Sequence, residues 1–121
     1  MARRLLVVGG MTDPIRTVTS DTFEGLVLLA SGPVVVEFMS HGCAHCREME
    51  PVLRRAATLL EGRVQLYRMD PAVEHTIASA YRVQGTPTFV KFLGGCEVGR
   101  IEVPRPELET LVAGLTRGFE R

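Results

Sequence analysis

Two cysteines and two histidines lie together in the segment HGCAHC, residues 41–46, directly after the apolar run VVVEFM. The thiolate form of cysteine is the nucleophile of disulfide exchange and also a ligand for zinc. The spacing C-x-x-C suits both chemistries, because the two sulfurs can close a small disulfide ring or supply half of a tetrahedral metal site. The segment therefore raises two hypotheses, a redox pair and a metal site.

The residues after the cysteines predict a helix that gives them different surroundings. Apolar side chains recur every three or four positions from Cys46 to Leu60, with Pro51 among them, which is typical of an amphipathic helix. Cys43 would lie at its start, near unpaired N–H groups and the positive end of the helix dipole, which lower a thiol pKa. Cys46 would lie on the apolar face. We therefore predict that Cys43 attacks a substrate disulfide and that the sheltered Cys46 resolves the mixed disulfide.

The metal hypothesis needs more ligands than the segment supplies. His41 or His45 and one further side chain would have to complete a four-ligand site. The sequence has no second CxxC and no spaced histidine pair, and His75 and Cys96 are isolated. A CxxC within a strand–helix–strand pattern favours redox chemistry. We therefore expect no metal ion and no other cofactor.

Two further side chains could adjust this chemistry. His45 could make an ordinary hydrogen bond, or could donate to the Cys43 thiolate and so raise the reduction potential of the pair. Glu37 interrupts the apolar run, and burial of a lone carboxylate would raise its pKa. Such a carboxyl group could take and return the Cys46 proton. Alternatively, Glu37 could face solvent near the edge of the sheet.

The remaining elements read as one α/β domain. The β-branched run from Val34 to Met39 predicts a strand buried on both faces, and VQLYRMD predicts the next strand, parallel to it. A short strand, RTVT, precedes a helix that Asp21 and Glu24 would cap and that would end near Leu29. Downstream we expect a third helix, the strand TFVKFL, a Gly94-Gly95 hairpin into EVGRIEV, and a last amphipathic helix.

Composition excludes some classes of partner. The chain carries 14 Lys+Arg and 14 Asp+Glu, and no cluster of like charge exceeds a few residues, so we expect neither nucleic acid nor a membrane as a partner. The apolar stretch LLVV near the start is shorter than the roughly 7–15 residues of a secretion signal. We therefore predict a cytoplasmic protein with a leader, residues 1–15, that either frays or packs on the core. Residues 16–121 would form the domain.

Two segments, VVVEFMSHGCAHCREMEP and VQGTPTFVKF, resemble the active-site and cis-proline segments of the thioredoxin family, and the resemblance runs from about Arg16 to about Leu115. It implies an α/β thioredoxin fold, a central mixed β-sheet of four to five strands flanked by helices. It also implies a cis Thr86–Pro87 bond beside the cysteines, which would leave the Thr86 backbone free to pair with an extended substrate. Glu37 matches the position of the family's buried acid.

The resemblance implies a monomeric thiol–disulfide oxidoreductase that acts on protein disulfides and dithiols. A thioredoxin-reductase-type electron donor is a candidate partner. Two alternatives stay open: a non-enzymatic thioredoxin-like module that holds a partner at Pro87, and a Cys/His metal-binding protein.

This sequence departs from the family at several positions. Gly42 replaces a tryptophan, which removes part of the substrate-facing surface. Ala44-His45 replaces Gly-Pro and is similar to the histidine-bearing loops of oxidising members. Leu66 stands where the family has a lysine near the buried acid, so we expect no charge pair for Glu37. Cys96, in the hairpin, matches no catalytic position and would be either an inert, partly exposed thiol or a regulatory one that could join two chains.

Overall fold

The computed structural model describes residues 13–120, which form five strands and four α-helices, with one π-helical segment after the first α-helix. In chain order they are β1 (Ile15–Thr17), α1 (Ser20–Phe23), β2 (Val34–Phe38), α2 (Ala44–Leu60), β3 (Gln65–Met69), α3 (His75–Ala80), β4 (Thr88–Leu93), β5 (Cys96–Glu102) and α4 (Leu108–Thr116). The predicted leader, residues 1–15, lies outside the described residues except for its last three. No helix in residues 13–120 is long and apolar enough to cross a membrane.

The strands form one mixed sheet in the order β1-β3-β2-β4-β5. β3 runs parallel to both β1 and β2, whereas β4 is antiparallel to β2 and to β5. The predicted mixed sheet of four to five strands is therefore confirmed. β2 lies in the middle of the sheet, and all five of its residues are buried, as the β-branched run predicts.

Each face of the sheet carries its own hydrophobic cluster. On one face α2 and α4 pack over Val35, Leu66 and Phe89. On the other face residues of α1 and α3 pack over Val36 and Phe92. α2 buries the side chains that its three-to-four spacing predicts, Cys46, Met49, Leu53, Ala56 and Leu60, together with Ala57. The cysteine pair therefore begins a helix that the core holds along most of its length.

The first helix begins differently from the prediction. The N-cap is Thr19, and the capping box joins it to Thr22, whose Oγ1 accepts the Thr19 N–H at 3.0 Å. The predicted cap of Asp21 and Glu24 is therefore wrong, because the threonine pair precedes it by two positions and offers the same S/T-x-x spacing. After Phe23 the backbone continues as one π-helical segment, Glu24–Leu28.

The hairpin between β4 and β5 turns at two glycines, as predicted. Gly94 and Gly95 have φ angles of +62° and +84°, the left-handed conformations that a two-residue type I′ turn requires. A side chain at Gly95 would also lie 2.8 Å from the Leu28 carbonyl oxygen. Close packing against the π-helical segment therefore requires glycine there as well.

Lys91 on β4 is the only lysine in the sequence, and it is 5% exposed. Its Nζ donates hydrogen bonds to the carbonyl oxygens of Gly114 at 2.8 Å and Arg117 at 2.7 Å. These carbonyls lie at the end of α4, where helices leave acceptors unpaired and carry partial negative charge. Lys91 thus anchors the last helix to the sheet.

Candidate active site

Cys43 is the N-cap of α2. Its backbone is extended, with φ −89° and ψ 118°, and its Sγ accepts the backbone N–H of Cys46 at 3.1 Å. Cys43 is partly exposed, whereas Cys46 is 1% exposed. The two cysteines therefore lie in the different surroundings that the helix pattern predicts.

The same surroundings shift the two thiol pKa values in opposite directions. Burial alone would raise the pKa of Cys43, but hydrogen bonds with the Cys46 side chain, with Thr86 and with the N–H groups of Cys46 and His45 lower it below its ordinary value. Burial raises the pKa of Cys46 to about 11, and the neighbouring Cys43 contributes in the same direction. A more acidic, accessible thiol thus precedes a protected one.

The segment before β4 lies next to Cys43. The Thr86–Pro87 peptide bond is cis, and the Cys43 Sγ–H donates to the Thr86 carbonyl oxygen at 3.3 Å. The Pro87 carbonyl in turn accepts the N–H of Val103 at 2.8 Å. The structure therefore brings the predicted substrate-binding residues Thr86 and Pro87 together with the cysteines, although Thr86 is 43 positions from Cys43 in sequence.

The loop residues around the cysteines are exposed. His45 Nδ1 lies 3.9 Å from Glu48 Oε1, so its side chain faces an acid about one helical turn along α2. Its backbone N–H is the part of His45 that lowers the Cys43 pKa. Ala44 is the first residue of α2, and a side chain added at Gly42 would meet no atom within 4 Å. Tuning by the His45 imidazole stays a prediction.

Glu37 is buried in the central strand, with 1% of its surface exposed. The alternative of a solvent-facing residue at the sheet edge is therefore wrong. Burial raises the pKa of Glu37 to about 7; Arg68 opposes the rise and Glu50 adds to it. The predicted direction and its predicted cause, desolvation, agree with this value. A carboxyl group with this pKa holds a proton part of the time near neutral pH.

Arg68 supplies the charge partner that we did not expect for Glu37. Leu66 is buried in the core, but Arg68 comes two residues later on β3 and lies opposite Glu37 in the parallel register. Its Nη2 donates to Glu37 Oε1 at 3.0 Å. The expectation that Glu37 has no ion pair is therefore wrong, because the cation occupies the next inward-facing position of β3.

The ion pair continues outward to the surface. Glu50 on α2 accepts Arg68 Nη2 at 2.8 Å through Oε1 and Arg54 Nε at 2.8 Å through Oε2. Arg54 also pairs with both carboxylate oxygens of Asp13. Five alternating charges therefore run from the buried Glu37 to the segment before β1. The sequence alone does not single out Glu50 or Arg68. The register between β2 and β3 would have indicated Arg68, and the face of α2 that lies over β3 would have indicated Glu50.

A cavity of about 290 Å³ opens beside this ion pair. Its lining includes Cys46, Glu50 and Arg68, together with Met39 and Ser40 from the end of β2. The resolving thiol and the group that holds Glu37 therefore share one solvent-sized space. A larger groove of about 700 Å³ lies between β5 and α4, but no cysteine lines it.

The remaining candidate ligands are scattered. Within residues 13–120 no three His, Cys, Asp or Glu side chains are grouped so that they could hold a metal ion. His41 and His45 are exposed, and Cys96 is an exposed thiol at the first residue of β5. The three cysteines are free thiols in this structure. The arrangement suits a dithiol that can close to a disulfide.

Comparisons with known proteins agree with this geometry. The family model for thioredoxin matches residues 14–117. Thioredoxin M2, chloroplastic, of Arabidopsis thaliana is 32% identical over 69% of this chain and 45% of its own length. A protein disulfide-isomerase A6 homolog of Caenorhabditis elegans is 36% identical over 66% of this chain and 18% of its own length. The chain thus spans less than half of each of these two relatives.

A solved structure with the same fold is the thioredoxin of Malassezia sympodialis, Mala s 13. It superposes with a TM-score of 0.76, covers 88% of this chain and 91% of its own, and is 23% identical in sequence. At that identity the likeness concerns the fold.

Proposed function

Because the chain belongs to the thioredoxin family of thiol–disulfide oxidoreductases, we propose that it exchanges disulfides with protein substrates through Cys43 and Cys46. The observation that carries the proposal is the asymmetry of the pair. Cys43 is partly exposed at a helix N-terminus with a lowered pKa, and Cys46 is buried three residues later with a raised pKa. An attacking thiol and a protected resolving thiol need these properties.

The proposed reaction has two displacement steps. The Cys43 thiolate attacks one sulfur of the substrate disulfide, so a Cys43–substrate disulfide forms and the other substrate sulfur leaves as a thiolate. The Cys46 thiol then loses its proton and attacks Cys43, which releases the second substrate thiolate. The substrate disulfide gains two electrons, and the cysteine pair loses two. The same steps in reverse oxidise a substrate dithiol.

Glu37 is the proposed acceptor of the Cys46 proton, directly or through water. The Cys46 pKa of about 11 means that this thiol rarely ionises alone near neutral pH, whereas a carboxyl group with a pKa of about 7 can accept a proton and return it. The cavity that Cys46 shares with Arg68 offers the path. The returned proton neutralises the departing substrate thiolate or leaves to solvent.

The proposed substrates are proteins with an extended segment at the disulfide. The Thr86–Pro87 segment lies against Cys43, so an extended chain that pairs with the Thr86 backbone would bring its sulfur to the attacking thiol. After reduction of a substrate the pair must be reduced again, and a reductase of the thioredoxin-reductase type is the proposed electron donor.

The test is the reduction potential of the pair, measured on a Cys96→Ser chain so that two thiols remain. The protein is equilibrated with glutathione buffers of defined ratio, alkylated, and the free thiols are counted by mass spectrometry. We expect one reversible two-electron transition. A Cys46→Ser chain should instead hold one glutathione at Cys43. A pair that stays reduced in every buffer would contradict the proposal.

The same preparation separates the two alternatives. A binding module whose cysteines are idle would bind its partner equally well after Cys46→Ser and would show no dependence on the redox buffer. A metal-binding protein would retain zinc, copper or iron after anaerobic purification, which metal analysis detects.

A further inference from the structure

We propose that Glu50 is a positioning residue for the exchange reaction: it shares the Arg68 guanidinium with Glu37, and so leaves Glu37 able to take the proton that Cys46 releases. The inference rests on the proposed function, because it assigns a role within the same reaction. It adds a residue on α2 whose side-chain hydrogen bonds are with Arg68 and Arg54.

The geometry shows that Arg68 is held more closely by Glu50 than by Glu37. Arg68 Nη2 lies 2.8 Å from Glu50 Oε1 and 3.0 Å from Glu37 Oε1, and Nη1 donates to Glu50 Oε2 at 3.4 Å. Glu50 therefore accepts two of the three bonds. Among the described residues, the second oxygen of Glu37 and the Nε of Arg68 have no hydrogen-bond partner. Glu37 thus has one hydrogen bond to its cation, where a bidentate pair would have two.

The three groups lie at increasing exposure. The exposed fractions of the side chains are 2% for Glu37, 14% for Arg68 and 32% for Glu50. The largely buried guanidinium of Arg68 needs a nearby negative charge, because an unpaired buried charge is costly. When Glu37 takes a proton, Glu50 still neutralises Arg68. Without Glu50, protonation of Glu37 would leave Arg68 unpaired, so Glu37 would hold its negative charge to lower pH.

Other charged groups near Glu37 do not replace Glu50. From α2, Arg54 acts on Glu37 in the direction that lowers its pKa, but Asp13 and Glu50 both pair with Arg54. From β4, the residue opposite Glu37 is Phe89, and the nearby Lys91 bonds to carbonyls of α4. The cavity beside the ion pair is lined by Cys46, Glu50 and Arg68, and also by the side chains of His41 and Arg47. Glu50 is therefore the acid that keeps Arg68 paired when Glu37 takes a proton.

The proposed exchange offers a direct kinetic readout of the Cys46 step. In a stopped-flow reaction with 5,5′-dithiobis(2-nitrobenzoate), attack by Cys43 releases one thionitrobenzoate at a rate proportional to reagent concentration. Attack by Cys46 on the resulting mixed disulfide then releases a second one at a rate independent of reagent concentration. The pH dependence of this second phase reports the base that accepts the Cys46 proton. Every chain carries Cys96→Ser, which removes the third thiol.

Glu50→Gln should move the midpoint of the second phase to lower pH, by about one pH unit, which is the usual effect of one nearby charge. With the Glu37 pKa at about 7, its ionised fraction at pH 6 would rise from about one tenth to about one half, so the second phase should speed up by as much as about fivefold there. Arg68→Gln should move the midpoint of the second phase to higher pH, because Arg68 lowers the Glu37 pKa. The first phase should not change in Glu50→Gln.

Glu61→Gln is the matched control, because Glu61 is an exposed acid immediately after the same helix, and its midpoint should equal that of the parent chain. The midpoint measured for Glu50→Gln is sufficient to test the role of Glu50, because this partly exposed side chain can be replaced without disturbing the core. An unchanged or higher midpoint in Glu50→Gln, with the second phase intact, would overturn the role of Glu50 and leave the proposed function standing. Release of a single thionitrobenzoate by the parent chain would overturn both.

Discussion

Replacement of Glu37 by glutamine should shift the free energy of unfolding in favour of the variant as pH rises from acidic to alkaline. The Glu37 carboxyl has a pKa of about 7 in the folded chain and an ordinary value of 4.5 in an unfolded one, because burial penalises the charged form. Between these pH values the folded chain binds the proton and the unfolded chain does not. Stability from Glu37 is therefore complete below about pH 4.5 and is lost as pH rises through about 7.

The size of the effect follows from the two pKa values. A rise from 4.5 to about 7 corresponds to about 3 kcal/mol in the free energy of unfolding, at about 1.36 kcal/mol for each pH unit. Glutamine keeps the shape and does not titrate. The difference in unfolding free energy between Glu37→Gln and the parent chain should therefore shift by about 3 kcal/mol in favour of the variant between pH 4 and pH 8.

Urea denaturation of the reduced proteins at pH 4, 6 and 8 measures this difference. Other groups, such as Asp13 and Glu50, titrate in both chains and so largely cancel in the comparison. Glu61→Gln, at an exposed acid, should give a difference that does not depend on pH. If the curves of Glu37→Gln and the parent chain stay parallel from pH 4 to pH 8, the folded pKa of Glu37 is not raised and the proton-acceptor role loses its basis.

Four further outcomes follow from contacts at the site and in the core. Iodoacetamide at pH 7 should alkylate Cys43 and leave Cys46 unmodified, because the two thiol pKa values are shifted in opposite directions. In a chain whose exposed third cysteine is replaced by serine, mass spectrometry should therefore detect a single added group. His45→Pro should lower the reduction potential of the pair in glutathione buffers, and an unchanged or raised potential would contradict a tuning role for the imidazole. Lys91→Met should reduce the unfolding free energy in urea by about 2 kcal/mol, since it removes two charge-assisted hydrogen bonds to the end of α4. Phe92→Ala should cost about 3–5 kcal/mol in the same assay, because Phe92 is fully buried against two other aromatic rings, and a loss under 1 kcal/mol would contradict its place in the core.

The elements that carry the cysteines could be predicted because their signals are local. The β-branched run of β2 and the three-to-four spacing of α2 report burial directly, and the Gly94-Gly95 pair specifies its own turn. The start of α1 does not follow from the sequence, because two overlapping pairs of residues fit a capping box and only backbone geometry selects between them. The cytoplasmic location and the leader stay predictions.

The charged part of the site could not be predicted in the same way. Glu37 could be singled out because a carboxylate in an apolar strand is conspicuous. The ion-pair partner of Glu37 depends on the register between β2 and β3. The family's lysine position holds Leu66 in this chain, so the family resemblance alone predicts no partner. Glu50 looks like one of several acids on the polar side of a helix, and its role depends on how α2 is rotated over β3. Pair register and helix rotation are tertiary properties.

The burial of the only lysine has a consequence for chemical labelling. The other basic side chains are arginines and three histidines, neither of which carries a primary amine, and the Lys91 amine is held by two carbonyl groups beneath α4. Acylation of this side chain therefore requires the last helix to detach, and its rate would report how often that helix opens in the otherwise folded protein.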